Sequence, residues 1–136
     1  MTKSARRAGA GPLLRAALAD VLAVVAFVGI GRSVHDVGVS LAGIAVTAWP
    51  FLGGLAIGWL VGRAWSRPGA LWPAGIAAWL GASMVGMALR VLAGQGTALA
   101  FLGVTVAFLG AAMLGWRVVV LGATRRTRRD VVAGRS

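Results

Sequence analysis

Apolar residues run through this chain in four long stretches, with little regular alternation against polar ones. They cover roughly Leu13–Gly31, Val39–Gly62, Leu71–Leu92 and Ala98–Leu121. A helix rises 1.5 Å per residue, so about 20 mostly apolar residues cross a hydrocarbon core of roughly 30 Å. Each stretch is long enough. The runs are too long and too uniformly apolar for barrel strands, which alternate lipid-facing and lumen-facing residues. Short connections hold the helix breakers: Ser33–Gly38, Arg63–Gly69 with Pro68, and Ala93–Thr97 with Gly94 and Gly96. Links this short force consecutive helices to run antiparallel. The pattern predicts an all-α polytopic membrane protein: an antiparallel four-helix bundle over residues 13–121, between basic tails at 1–12 and 122–136.

Composition sharpens this picture. Of the 136 residues, 59% are hydrophobic and 12% charged, where a soluble domain has roughly 45–50% and about 25%. With a mean hydropathy of +0.86, the apolar surface exceeds what a soluble protein of this length can bury. The chain has no cysteine, which excludes disulfides, thiolate metal sites, a lipoprotein anchor and dithiol redox chemistry. The first stretch follows Lys3, Arg6 and Arg7 as a signal peptide would. Asp20 interrupts it, however, and Gly31 to His35 is not a small-x-small cleavage site, so it is read as a retained span. An alanine-, glycine- and arginine-rich composition with Lys3 as the sole lysine suggests a GC-rich bacterial genome, hence a bacterial plasma membrane.

The formal net charge is +11, a value that raises nucleic acid as a partner. The basic residues sit at the ends of the apolar stretches instead of along one soluble face, which is their topogenic use. Lys3, Arg6, Arg7, Arg15, Arg63, Arg67, Arg117, Arg125, Arg126, Arg128, Arg129 and Arg135 fall on one side; only Arg32 and Arg90 fall on the other. Twelve of fourteen basic residues therefore place both termini and the middle loop in the cytoplasm. The run Arg125 to Arg129 is expected to bind anionic lipid headgroups, at about 1 kcal/mol per basic residue near the surface.

Small residues mark packing faces. Gly54, Gly58 and Gly62 make two overlapping GxxxG steps in the second span; Gly103, Ala107, Ala111 and Gly115 make a ridge on the fourth. Residues four apart share a helix face and let backbones approach, and packing within the chain is the favoured use, with a homodimer or larger assembly the other. Pro50 removes the amide that would bond the Val46 carbonyl and is expected to kink the second span. Trp65, Trp72 and Trp116 suit an interfacial belt, whereas Trp49, Trp59 and Trp79 lie deeper and read as packing.

Several segments together carry a resemblance: Phe27–Asp36 (FVGIGRSVHD), Thr47–Trp59 (TAWPFLGGLAIGW), Ala88–Phe101 (ALRVLAGQGTALAF) and Leu114–Arg117 (LGWR). From about Asp20 to Arg117 the chain resembles the bacterial domain-of-unknown-function 3054 proteins. That resemblance implies a short, four-span membrane protein and carries no activity, cofactor or site with it.

Ionisable groups inside a membrane need a partner or a role. Asp20 lies five residues past Arg15, about 7.5 Å deeper, and Arg117 lies eight residues before Arg125, about 12 Å in. Their matched depth suggests an ion pair tying the first span to the fourth. The other reading is a proton- or cation-linked carboxylate at Asp20. On the opposite side, Arg32, His35, Asp36 and Arg90 form a candidate external polar cluster, with Ser33, Gln95 and Thr97 nearby. Two guanidinium forks and an imidazole suit an anionic group; snorkelling arginines that tie two loops together are the favoured reading. His35 is the sole histidine, so neither a metal site nor a bis-histidine haem site is expected, and no cofactor is implied. Gly29 and Gly31 lack the third glycine and the strand–helix setting of a dinucleotide fingerprint. Ser40 and Ser83 have no base nearby, so serine-hydrolase chemistry is not expected. The leading functional expectation is a non-enzymatic structural or accessory bundle. The alternative is a small dimeric transporter with Asp20 as its coupling carboxylate.

Overall fold

The computed structural model describes residues 9–35 and 37–135; Lys3, Arg6, Arg7 and Asp36 lie outside them. The described residues form four helices: α1 (Ala10–Val34), α2 (Leu41–Val61), α3 (Leu71–Leu92) and α4 (Leu99–Ala133), with no strand among them. All four are long and apolar enough to cross a membrane, and the chain is a multi-pass membrane protein. Helix α1 packs on α2 and α4, and α3 packs on the same two, so each helix has two neighbours. One end of the bundle, the tail side, holds the 62–70 loop, the start of α1 and the end of α4. The far side holds the two connections before Leu41 and Leu99.

Sidedness within the bundle follows from side-chain size. Gly54, Gly58 and Gly62 face α3, where Gly54 opposes Gly81 and Gly58 opposes Ala77. Methyl groups there would strike backbone atoms, so this contact is a close approach of two helix axes. The ridge on α4 is a correction to the expectation of intrachain packing. Gly103, Ala107 and Ala111 are exposed, and a Cβ on Gly103 or Gly115 would meet nothing. The packed stripe of α4 is instead Thr105, Leu109, Met113 and Arg117, all fully buried. It lies two residues, about 200°, around the helix from the ridge.

The core between these faces is aromatic. Phe27 meets Phe51 edge to face at 5.6 Å and 85°, and also packs on Phe101 at 5.7 Å and Phe108 at 5.5 Å. Outward-facing Leu18, Leu22, Ile30, Leu60 and Val104 are exposed, as side chains solvated by lipid tails would be.

Helix ends depart from the apolar boundaries where the chain itself sets them. Ser40 caps α2, its hydroxyl accepting from the Gly43 amide at 3.0 Å. Helix α4 has 35 residues, about 52 Å at the standard rise, and continues through Ala133 where the apolar run stops at Leu121. No proline intervenes, and arginine and alanine are good helix formers, so residues 122–133 extend the helix. Helix α3 widens by one residue per turn at Gly81–Val85, a local bulge. Pro50 lies inside α2, which stays helical from Leu41 to Val61.

Candidate functional site

Two polar centres occupy opposite ends of the bundle. On the tail side, Asp20 of α1 and Arg117 of α4 form a bidentate ion pair: Nη1 donates to Oδ1 and Nη2 to Oδ2, each at 2.8 Å. Both side chains are 0% exposed. The indoles of Trp116 and Trp59 complete the carboxylate, donating to Oδ1 at 2.9 Å and Oδ2 at 3.0 Å. Arg117 also donates from Nε to the Pro68 carbonyl at 3.1 Å and from Nη1 to the Met113 carbonyl at 2.9 Å. Its guanidinium lies 4.4 Å from the Trp116 ring centroid, a cation–π contact.

Four donors thus fill the roughly four lone-pair sites of the carboxylate, and four of Arg117's five N–H groups are used. Gly75 on α3 makes room for this, since a Cβ there would lie 2.9 Å from Arg117 Cδ. All four helices and the middle loop converge on one charge pair. A network so fully satisfied fixes geometry and leaves no lone pair of Asp20 open to a travelling proton.

The two tryptophans are what sequence reasoning missed. Trp116 read as an interfacial belt residue and Trp59 as packing, yet both indoles are half-buried and end on Asp20. A usable signal existed: a deep indole N–H needs an acceptor, and Asp20 is the sole carboxylate within the apolar stretches. Trp79 meets the same need by donating to the Val106 carbonyl at 3.0 Å. Gly110 leaves space for that ring, a Cβ there falling 3.0 Å from its Nε1.

On the far side, Arg32 and Arg90 each fold back over the loop that follows their own helix. Arg32 donates from Nε to Gly38 O at 3.0 Å and from Nη2 to Val37 O at 3.3 Å; Arg90 donates from Nε to Gly96 O at 3.0 Å and from Nη2 to Gln95 O at 3.5 Å. The two loops share one design, an arginine six residues before a glycine of left-handed backbone, Gly38 at φ 81 and Gly96 at φ 70. Glycine adopts that conformation without the Cβ clash other residues meet. Both loops are then pinned to α2. Arg32 Nη1 donates to Thr47 Oγ1 at 2.9 Å, while Arg90 Nη1 donates to Gln95 Oε1 at 3.0 Å and Gln95 Nε2 to Val46 O at 3.0 Å. Arg90 also lies 4.9 Å from the Phe101 centroid. Exposed His35 ends α1 beside this centre, and Asp36 is outside the described residues.

The Gln95 bond explains how Pro50 is accommodated. Val46 O is the carbonyl that proline leaves without its helical amide, and inside a membrane such a group must be satisfied by protein. Gln95→Ala is expected to cost about 1–3 kcal/mol, the range for an acceptor left without a partner away from water, read by unfolding in detergent. In a Pro50→Ala background the restored amide serves Val46, so the same change should cost less. Equal costs in the two backgrounds would show that Val46 does not need Gln95.

Among the described residues, no group of three or more histidine, aspartate or glutamate side chains is placed to hold a metal ion. A family model described as a protein of unknown function, DUF3054, matches residues 17–120. No curated protein and no solved structure matches the chain.

Proposed function

Given that the chain belongs to the DUF3054 family of proteins of unknown function, we propose that it is a non-enzymatic structural or accessory bundle of the bacterial plasma membrane. Both termini and the middle loop are cytoplasmic in this reading, and the far side faces outward. The observation that carries it is the state of Asp20. Proton- or cation-coupled transport needs a carboxylate that alternates between partners, whereas this one is sealed by Arg117, Trp59 and Trp116. No second acid lies within the apolar stretches to take its place. The extended end of α4, with Arg125, Arg126, Arg128 and Arg129 exposed, suits anionic headgroups of the inner leaflet.

Orientation is tested by reporter fusions. Those after Ser136 and at Pro68 are expected to read cytoplasmic, and those near Val37 and Gln95 external. An external C-terminus would overturn the assignment. The absence of coupling is tested in proteoliposomes: an imposed pH gradient should decay no faster than in protein-free vesicles, and faster decay abolished by Asp20→Asn would restore the transporter reading.

A further inference from the structure

The far-side arginines do more than anchor loops, because they also line a cavity. It encloses about 380 Å³, within the roughly 300–1,000 Å³ range of ligand pockets. Its floor is the aromatic core, Phe27, Phe51 and Phe101, and its rim carries Arg32, Arg90 and His35. Each guanidinium uses three of its five N–H groups, Arg32 on its loop and Thr47 of α2 and Arg90 on its loop alone, which leaves two donors apiece. Among the described residues neither arginine meets a carboxylate; the ion pair Asp20–Arg117 lies at the opposite end of the bundle. Two positive charges therefore stand over an apolar chamber with no counter-charge among the described residues.

Two further features point the same way. Helix α4 begins at this cavity, with Thr97 and Ala98 in its wall, and no side chain caps its N-terminus. The first-turn amides and the helix dipole add positive potential at that point. An apolar groove of about 490 Å³ adjoins the cavity and shares Phe27, Gly31, His35 and Phe101 with it. The groove runs between α1 and α4 past Ile30, Val34 and Val104, whose exposed side chains face the hydrocarbon. A ligand can enter sideways from the bilayer.

We infer that this cavity holds the head of an anionic lipid, a phosphate monoester between Arg32 and Arg90, with an acyl chain lying in the α1–α4 groove. A phosphate monoester bears about −1.5 to −2 charge at neutral pH, which matches two guanidiniums better in charge than a carboxylate or a phosphodiester. Bidentate arginine recognition of phosphate supplies the geometry. The chain replaces lipid contacts with the wall of the groove and gives the head a fixed depth. The inference is independent of which leaflet the far side occupies.

The test is binding of lysophosphatidate to the purified full-length protein in neutral detergent, read by native mass spectrometry and by thermal unfolding. Lysophosphatidate should bind at least tenfold more tightly than oleate, lysophosphatidylglycerol or inorganic phosphate, and lysophosphatidylcholine should not compete. Arg32→Gln and Arg90→Gln should each weaken binding at least tenfold, but both also release a loop. Gly31→Leu avoids that difficulty, because a Cβ at Gly31 meets nothing within 4 Å and the side chain enters open space shared by cavity and groove. It should leave the ligand-free unfolding temperature no lower than the parent's, since leucine is the better helix former, and weaken lysophosphatidate at least tenfold. Equal binding by Gly31→Leu and the parent protein would overturn the inference. So would competition by lysophosphatidylcholine, or inorganic phosphate binding as tightly as the lipid.

Discussion

Gly58→Ala is expected to remove about 3 kcal/mol of stability, enough to loosen α2 from α3. A methyl group at Gly58 would overlap the Ala77 carbonyl oxygen, with the carbonyl carbon at 2.9 Å and Ala78 Cα at 3.1 Å. All three are backbone atoms and cannot rotate aside. From the other helix, a methyl on Gly81 would meet Gly58 N at 2.8 Å and Cα at 2.7 Å. The two helices must therefore separate along their whole glycine seam. Overpacking in a fitted core costs typically 1–3 kcal/mol and occasionally more, and a backbone-on-backbone clash belongs at the upper end. Gly103→Ala on α4 is the control: its Cβ meets nothing, and alanine is the better helix former by about 1 kcal/mol. Unfolding of both variants in detergent should give opposite signs. A neutral Gly58→Ala would mean that α2 and α3 do not touch along this seam.

The contrast between those two glycines shows what the chain discloses before it is folded. Both lie in runs of small residues at spacing four, and that spacing fixes a shared face without saying what the face meets. The neighbour is decided by where the larger side chains of the same helix are buried: α4 commits Leu109, Met113 and Arg117 to the core, which turns Gly103 and Ala107 toward lipid. The number of helices is far more legible, because a bilayer demands a fixed length of apolar helix and the links are too short for anything but reversal. The end of α4 is less so, since beyond Leu121 water and headgroups no longer constrain the sequence and helix propensity takes over. Depth within the membrane is readable at 1.5 Å per residue, which is why Asp20 and Arg117 come out level. The company they keep is readable only for the deep Trp59, whose indole N–H needs an acceptor. Nothing in hydropathy distinguishes Trp116, which ends on a buried carboxylate, from Trp72, which is 75% exposed. The far-side loops did carry a readable sign, the repeated spacing of Arg32 to Gly38 and Arg90 to Gly96. It becomes meaningful only when each arginine is seen to donate to its glycine carbonyl.

Asp20→Asn and Arg117→Gln are each expected to cost about 3–5 kcal/mol, the range for leaving one buried charge without its partner. In Asp20→Asn the guanidinium keeps the Pro68 and Met113 carbonyls but loses the countercharge to two of its nitrogens. The amide also replaces one acceptor oxygen with a donor, so one of the indoles of Trp59 and Trp116 loses its acceptor. In Arg117→Gln the carboxylate keeps both indoles and is otherwise an isolated anion in a membrane, with the Pro68 carbonyl released as well. The double variant should cost less than the sum of the singles, because neither orphan charge remains. The coupling energy should exceed the roughly 1 kcal/mol upper end found for exposed pairs. Trp59→Phe and Trp116→Phe, which each remove one hydrogen bond to a charged group, should cost about 1.5–3 kcal/mol in the parent protein. In the Asp20→Asn background both should cost less, since the shared acceptor is already impaired. Unfolding by SDS titration in mixed micelles reads all of these on one scale. Strict additivity of Asp20→Asn with Arg117→Gln would mean that each charge is stabilised on its own. The carboxylate would then be free to exchange partners, and the case for a closed, non-transporting bundle would fail with it.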